Sequence, residues 1–376
     1  MNRNDSARAF VVMLAMAAAV VQPLAAQPAG QAAGQEGWVC PPCACGQDHA
    51  VSDKPGSCPA CRMKLIRKSE IQRVAILLYD GVEIIDYAAP WEVFGQAGFE
   101  VFTVTSTGAP ITTAMGMKVT PGHSFENSPA PTILLVPGGG GQRAASADPA
   151  TIAWVLKNAA AATHVLSVCN GALILAKAGL LDGQKATTFY YQLDQLRDSG
   201  KAIDVVTDQR WVDNGKIITS AGLSSGLDAA IHLVSKIRGL AAAQRVALVL
   251  EYDWKPDAGY ARGALAEGHM PRLTGPEWET AEMLSTAGDR NQWEARYRMT
   301  TDLPADAMLS KLKTVLSNMR SWSPEAPGGQ TTGARGAWTF VDDSGHDWLG
   351  SIRVEPIPDA TGVWTIVLRV NRVASS

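Results

Sequence analysis

The stretch from Val165 to Ala172, which reads V-L-S-V-C-N-G-A, constrains the fold more than any other part of the sequence. Its first residues form an apolar run that predicts a buried strand, and the glycine and apolar residues after Cys169 predict a helix that begins at once. A side chain at such a sharp turn projects above the carboxyl ends of the strands in an open α/β sheet, where ligands bind. We therefore expect Cys169 to be the reactive residue of an α/β domain.

The sequence around this junction alternates between strand-like and helix-like patterns over residues 71–263. Such alternation predicts a doubly wound, mostly parallel sheet with helices on both faces. The predicted strands are Arg73–Tyr79, Glu100–Ser106, Ile133–Val136, His164–Val168, and a hairpin of Arg210–Val212 with Lys216–Thr219; the predicted helices are Pro90–Ala97, Pro149–Ala162, Gly171–Ala178, Gly226–Ile237 and Leu240–Tyr252.

Two features beside Cys169 suggest how its chemistry would work. The helix N-terminus that follows it favours negative charge, so we expect a stabilised thiolate. The neighbouring strand ends in glycines, and the bare amides of Gly138 and Gly139, with the amide of Asn170, are predicted to form an oxyanion pocket. No cofactor is expected at this site. A buried, inert cysteine is the alternative interpretation.

Several motifs in this region resemble the PfpI superfamily, the glutamine-amidotransferase-like group, and most closely its isonitrile-hydratase-like branch. The resemblance covers roughly residues 73–239 and implies a flavodoxin-like fold with a cysteine nucleophile. It rests on Y-D-G-V-E-I-I-D-Y-A-A-P-W-E-V-F, T-P-G-H-S-F, V-P-G-G-G, S-V-C-N-G-A-L-I-L-A-K-A-G-L-L-D-G, A-T-T-F-Y and I-T-S-A-G-L-S-S-G-L-D.

The resemblance implies that Asp86, in the first strand–helix loop, is the acid/base partner of Cys169. It also implies a cysteine-dependent hydratase or lyase that acts on a small electrophilic molecule, and a possible homodimer. The sequence departs from the family at Asn170, where family proteases have His, and at Phe189, where many relatives have His after two threonines. These missing imidazoles favour an alternative, a non-catalytic metal- or redox-responsive binding protein on the same fold.

Five of the six cysteines lie between Cys40 and Cys61, within a short segment, residues 38–66, that has almost no apolar core. Cys40 and Cys43 form one C-x-x-C pair, Cys58 and Cys61 form another, and 14 residues separate the two pairs. Two such turns direct four thiolates at one point, as a tetrahedral metal site requires. Disulfides are the alternative, because exported proteins meet an oxidising compartment.

The same segment resembles the heavy-metal-binding domain of exported copper and zinc efflux components. The match consists of D-K-P-G at residues 53–56, C-P-A-C at residues 58–61, and Met63. The resemblance implies zinc or copper as the bound metal. Cys43 stands where that family has His, which favours softer metals, and Arg62 stands where it has Gly. Cys45 and His49 are further candidate ligands.

The N-terminus predicts export to the periplasm or secretion. Arg3 and Arg8 precede an apolar run of 13 residues from Ala9 to Val21, shorter than the ~20 that a membrane span needs, so we expect no stable membrane insertion. Residues 1–26 are predicted to be a signal peptide, and residues 27–37 a Gly- and Pro-containing linker. An uncleaved helix of a cytosolic protein is the alternative.

The region 274–376 has its own composition and predicts a small α+β unit. Seven of the 11 tryptophans lie at or after Trp254, and tryptophans on strands are usually core residues. An amphipathic helix is predicted over Ala305–Met319, between strands at Trp293–Met299 and at Trp338–Val341, Trp348–Val354 and Val363–Val370. The net charge of the whole chain is −3, so nucleic acid is not expected as a partner, whereas a small-molecule substrate and a metal ion are.

Overall fold

The computed structural model describes residues 37–41, 45–47, 50–199, 202–257, 259–273, 275–317, 323–324, 334–342 and 344–373. The predicted signal peptide, nearly all of the predicted linker, Cys43 and His49 lie outside the described residues. Within the described ranges, every helix is too short or too polar to span a bilayer.

The cysteine-rich segment folds around its own small core. Three short strands, β1 (Trp38–Val39), β2 (Val51–Ser52) and β3 (Ile66–Arg67), form an antiparallel sheet in the order β2-β1-β3. The core beneath it consists of Cys40, Cys58 and Leu65. Since sulfur atoms supply much of this core, the segment depends on what the cysteines bind.

A seven-stranded sheet forms the centre of the next region. Its order is β13-β14-β10-β9-β4-β5-β8, and every neighbouring pair is parallel except β13 with β14. Two further pairs, β6-β7 and β11-β12, lie outside it. The strands are β4 (Arg73–Leu77), β5 (Glu100–Thr105), β6 (Ile111–Thr112), β7 (Lys118–Val119), β8 (His123–Ser124), β9 (Ile133–Val136), β10 (His164–Val168), β11 (Lys185–Ala186), β12 (Asp204–Val205), β13 (Trp211–Asp213) and β14 (Ile217–Ser220).

Helices cover both faces of this sheet, which confirms the predicted doubly wound fold. Along β4, Val74 and Ile76 face one core, whereas Ala75 and Leu77 face the other, as the alternation of side chains along a strand requires. Helices α1, α6 and α7 pack in the first core and α2 to α5 in the second. The helices are α1 (Ile84–Gln96), α2 (Gln142–Ala147), α3 (Pro149–Ala161), α4 (Gly171–Lys177), α5 (Leu193–Ser199), α6 (Ser224–Arg238) and α7 (Leu240–Val249).

Two helix boundaries differ from the sequence prediction by three residues or more. Helix α1 begins at Ile84, six residues before the predicted start, and Pro90 lies inside it. Proline is common in the first turn of a helix and costly inside one, which explains why the pattern suggested a start there. The earlier start places Asp86 in the first turn of α1. Helix α7 ends at Val249 rather than at Tyr252.

The C-terminal region is a six-stranded antiparallel sheet in the order β15-β16-β20-β19-β18-β17, packed against helix α8 (Ala305–Ser317). Met308, Leu312 and Leu316 of α8 are buried against the sheet, as are Trp338 and Trp348, which confirms that these tryptophans belong to the core. Strand β15 was not predicted, because most of its residues are exposed and polar or small. The strands are β15 (Ala281–Gly288), β16 (Gln292–Thr300), β17 (Ser323–Pro324), β18 (Ala334–Val341), β19 (Asp347–Pro356) and β20 (Val363–Arg372).

Four 3-10 helices join the elements around the central and C-terminal regions, and a fifth follows the cysteine-rich segment. They are Lys68–Glu70, Tyr190–Gln192, Arg262–Ala264, Ala266–His269 and Pro276–Trp278.

The packing of α6 on β10 can be tested with a pair of helical glycines. We predict that Gly226→Ala lowers the free energy of unfolding by about 1–3 kcal/mol, because the added methyl group would lie 2.5 Å from Val168 Cγ1. Gly95→Ala in α1 is the matched control, since nothing lies within 4 Å of its added methyl group; it should be neutral or stabilising by about 0.5–1 kcal/mol. Urea unfolding measures both, and equal stabilities would contradict this packing.

Candidate functional site

Cys169 lies in the sharp turn that the sequence predicted. It follows β10, has a φ of 58°, and is separated from α4 by Asn170 alone. Glycines make room for this turn: a methyl group added at Gly171 would lie 2.1 Å from the Val136 carbonyl oxygen, and one added at Gly222 would lie 3.0 Å from Cys169 Sγ. The left-handed backbone at a residue other than glycine is strained, and such strain is typical of active sites.

The structure brings Asp86 and Cys169 together. The Asp86 carboxylate is fully buried, accepts a hydrogen bond from the Cys169 thiol, and accepts two more from backbone amides. The Leu223 amide donates to Oδ1 at 2.9 Å and the Gly138 amide donates to Oδ2 at 3.2 Å. Burial nevertheless raises the pKa of Asp86 to about 6, and the hydrogen bonds from Leu223 and Cys169 oppose this rise. A carboxyl group with this pKa can give and take protons near neutral pH.

The sequence predicted a stabilised thiolate at Cys169, whereas the structure favours the protonated thiol. Cys169 is only 7% exposed, and this burial raises its pKa well above the ordinary range, with the negative charge of Asp86 adding to the rise. The Asn170 amide, which donates a hydrogen bond to the sulfur, lowers the pKa but does not offset the other two effects. The resting site therefore holds one proton on the thiol, facing a carboxylate.

The predicted oxyanion amides are occupied by other partners. The Gly138 amide donates to Asp86, and the Gly139 amide donates to Asn170 Oδ1 at 2.7 Å. Asn170 Nδ2 donates in return to the Gly139 carbonyl oxygen at 3.1 Å. The amides are thus not bare, contrary to the expectation, because two side chains of the site itself bond to them. Their role as an oxyanion pocket stays a prediction.

Two histidines of the central domain, His123 and His232, lie outside this site. The His123 ring contacts Phe102, with ring centroids 5.2 Å apart, and His232 Nε2 lies 2.8 Å from Asp213 Oδ2 at the surface. Thr188 occupies a family motif position and donates its hydroxyl to the Cys169 carbonyl oxygen at 2.9 Å. The described residues therefore bring a carboxylate, rather than an imidazole, to the sulfur.

Three residues of the site were missed by the sequence analysis. Glu83 raises the pKa of both Asp86 and Cys169 through its negative charge. Tyr79 donates its hydroxyl to the Pro137 carbonyl oxygen at 2.8 Å, and burial raises its pKa. Leu223 has a φ of 50° and supplies an amide to Asp86. All three residues lie within motifs that carry the family resemblance, Y-D-G-V-E and I-T-S-A-G-L, and this was the available signal.

Four sulfur atoms meet in the cysteine-rich segment. The ligand atoms of Cys40, Cys45, Cys58 and Cys61 all lie within 4.8 Å of one another. The Sγ atoms of Cys40 and Cys61 lie 3.4 Å apart. The Sγ–Sγ distances between Cys40 and Cys45 and between Cys45 and Cys58 are both 3.8 Å. A disulfide requires about 2.05 Å, so these pairs are not bonded to each other.

This geometry fits a tetrahedral metal ion. Metal–sulfur bonds of about 2.3 Å place the sulfurs of a tetrahedron roughly 3.8 Å apart, close to the distances observed. Cys45, a further candidate in the sequence analysis, completes the set, whereas the predicted ligand Cys43 lies outside the described residues. A metal held there would tie together the three short strands, a structural rather than a catalytic role.

We predict that Asp86→Asn accelerates alkylation of Cys169. Because the carboxylate charge raises the thiol pKa, its removal increases the thiolate fraction about tenfold for each pKa unit. Iodoacetamide labelling of the Cys169 peptide at pH 7, followed by mass spectrometry, measures the rate. Asp80→Asn is the control, since Asp80 is exposed and, among the described residues, accepts its hydrogen bond from the Thr112 amide rather than from the site. Unchanged labelling in Asp86→Asn would contradict the coupling.

We predict about one zinc or copper ion per chain in protein purified without chelator. Cys45→Ser should lose as much metal as Cys40→Ser, because each removes one of the four clustered sulfurs. Elemental analysis by mass spectrometry gives the stoichiometry. Loss in Cys43→Ser with retention in Cys45→Ser would restore the ligand set first predicted, and no metal together with no free thiols would indicate disulfides.

The sequence matches two described families. Residues 72–236 match the DJ-1/PfpI family, and residues 38–68 match the heavy metal binding domain. A deglycase of Thermococcus kodakarensis is 27% identical over 147 residues, which are 38% of this chain and 89% of that protein. A solved structure of a THiJ/PfpI family protein from Pseudomonas syringae is 34% identical, with a TM-score of 0.47, and the match covers 50% of this chain and 78% of that one.

The isonitrile hydratase of Pseudomonas putida is 35% identical over 185 residues, which are 49% of this chain and 80% of that protein. Because this similarity spans most of the relative and residues 72–236 match the family itself, the chain belongs to the DJ-1/PfpI family.

Proposed function

We propose that the central domain hydrates a small electrophilic molecule of the isonitrile type to the corresponding formamide. The observation that carries this proposal is the buried Cys169 thiol, hydrogen-bonded to the Asp86 carboxylate at the carboxyl edge of the sheet. The similarity to isonitrile hydratase supports the substrate class.

In the first half of the reaction, the thiol adds to the isonitrile carbon. The Asp86 carboxylate accepts the thiol proton as the sulfur–carbon bond forms, and then gives this proton to the same carbon. The product is a thioimidate on Cys169, R–N=CH–S. No free thiolate has to exist beforehand, because base and nucleophile are already in contact. The thiol can therefore act as a nucleophile although its pKa is raised.

In the second half, water adds to the thioimidate carbon. Asp86 accepts a proton from the water and passes it to the nitrogen, which gives R–NH–CH(OH)–S. The hydroxyl proton then returns to the sulfur, by way of Asp86, as the carbon–sulfur bond breaks. The formamide leaves, and the thiol and carboxylate are restored, so the reaction consumes one water and needs no redox partner.

The acid/base group present suits this chemistry better than peptide hydrolysis. An amine leaving group must receive a proton from a positioned acid, which in cysteine proteases is a histidine. Among the described residues, the group in hydrogen-bond contact with the sulfur is Asp86, whose pKa of about 6 allows proton transfer in both directions. Hydration requires only such two-way transfer.

A second candidate is a non-catalytic metal- or redox-responsive binding protein. Two observations favour it: burial raises the pKa of the Cys169 thiol, and a separate four-sulfur cluster offers a metal site. In that case the Cys169 thiol would react slowly with alkylating reagents, and the protein would turn over no substrate.

We also propose that the protein is exported to the periplasm or secreted, that the cysteine-rich segment binds zinc or copper, and that the chain forms a homodimer. The apolar run after Arg3 and Arg8 supports export, the four clustered sulfurs support a soft or borderline metal, and family resemblance supports the dimer.

The central prediction is loss of hydration in Cys169→Ala. Asp86→Asn should retain the fold but lower kcat by about 10²–10⁴, as expected for removal of a general acid–base group. In the wild type, the rate should rise with pH through about 6, because the carboxylate form of Asp86 accepts the thiol proton. Formamide production from small alkyl isonitriles, followed by chromatography, measures these rates.

Asp80→Asn serves again as the matched control and should keep the wild-type rate. Undiminished turnover in Cys169→Ala would refute the covalent scheme, and a complete lack of turnover in the wild type would favour the binding-protein candidate.

A further inference from the structure

A cavity of about 200 Å³ lies beside the Cys169 turn. On one side it is lined by Thr188, Gly222 and Leu223. Thr188 donates a hydrogen bond to the Cys169 carbonyl oxygen. Gly222 lies against the Cys169 sulfur, and the Leu223 amide donates a hydrogen bond to Asp86. Cys169 and Asp86 do not themselves line the cavity; their immediate neighbours separate it from the reactive pair.

Part of the cavity lining comes from outside the family domain. This part includes Tyr260, Ala261, Arg262 and Gly263, a segment that follows α7 and lies beyond the family match at residues 72–236. We call this segment, Tyr260–Gly263, the wall segment. The pocket beside Cys169 is thus completed by residues that the family domain does not provide.

Close packing fixes the wall segment in place. A methyl group added at Gly263 would lie 2.8 Å from the Thr207 carbonyl oxygen and 2.9 Å from Leu193 Cδ1. The Arg262 guanidinium lies 4.0 Å from the centre of the Tyr190 ring and donates two hydrogen bonds to Glu267, at 2.7 and 2.5 Å. These contacts hold the C-terminal half of the wall segment.

The cavity presents no unpaired positive charge. Two arginines line it: Arg262 is paired with Glu267, and Arg210 is paired with the buried Asp228. The rest of the lining is hydroxyl, amide, aromatic and aliphatic. An anionic ligand would have to break one of these pairs, so the cavity suits an uncharged molecule.

The size of the cavity sets a second limit. A volume of about 200 Å³ corresponds to about seven water molecules and is smaller than the ~300–1,000 Å³ of pockets that take drug-sized ligands. We propose that the wall segment is a specificity-determining element that admits small uncharged electrophiles to Cys169 and excludes bulky ones. The identity of the electrophile rests on the proposed function, but the size limit applies to any reagent that reaches the sulfur.

The test compares the labelling rates of Cys169 with a small and a bulky neutral maleimide, N-methylmaleimide and N-pyrenylmaleimide. Each rate is read from the Cys169 peptide by mass spectrometry, which separates it from the other cysteines. The ratio of the two rates cancels the thiolate fraction, so the raised pKa of Cys169 does not affect it. In Arg262→Ala the bulky-to-small ratio should rise about tenfold, the scale on which pockets discriminate by size.

Arg272→Ala is the matched control. Its guanidinium lies 4.1 Å from the centre of the Tyr191 ring, yet it does not line the cavity, so the ratio should stay at the wild-type value. Tyr260→Ala provides a second variant if Arg262→Ala fails to fold, because Tyr260 is 60% exposed and its removal leaves the core intact; it should raise the ratio in the same direction.

An unchanged ratio in folded Arg262→Ala or Tyr260→Ala, or an equal rise in Arg272→Ala, would overturn the proposal. A raised ratio without hydration of any isonitrile would support the wall segment and refute the proposed function, so the two failures are distinguishable. If Arg262→Ala hydrates bulky isonitriles and the wild type does not, both the wall-segment proposal and the proposed hydratase function are supported.

Discussion

The hydrogen bond from the Cys169 thiol to the Asp86 carboxylate is the interaction on which the site depends. Burial raises the pKa of Asp86 from 3.8 to about 6, so its ionisation opposes folding, and about 3 kcal/mol of stability is lost as the pH rises from about 4 to about 6. The amides of Leu223 and Gly138 limit this cost by bonding to the carboxylate. The protein keeps a destabilising charge where proton transfer is needed, which is typical of functional sites.

The parallel sheet explains how distant residues reach one point. Asp86 follows β4, Gly138 follows β9, Cys169 follows β10 and Leu223 follows β14, and these four strands are consecutive in the sheet. Carboxyl ends of parallel strands meet at one edge. The wall segment, which follows the family match at residues 72–236, lines the cavity beside this edge.

The two groups of cysteines follow opposite physical requirements. In the cysteine-rich segment, four sulfurs lie close enough to bind one ion and supply much of a very small core. At the elbow, a single sulfur is kept apart, buried and protonated beside a carboxylate. The spacing of the cysteines predicted this division. It offered Cys45 only as a further candidate ligand, whereas among the described residues Cys45 is the fourth sulfur of the cluster.

The sequence by itself determined the strands Ile133–Val136 and His164–Val168, the turn at Cys169 and its pairing with an acidic residue through family resemblance, because buried parallel strands appear as continuous apolar runs. Only the tertiary structure decided that the thiol is protonated, that the amides of Gly138 and Gly139 are occupied, and that the wall segment lines the pocket. Those properties depend on solvent exclusion and on contacts between residues far apart in the chain, and neither follows from local pattern.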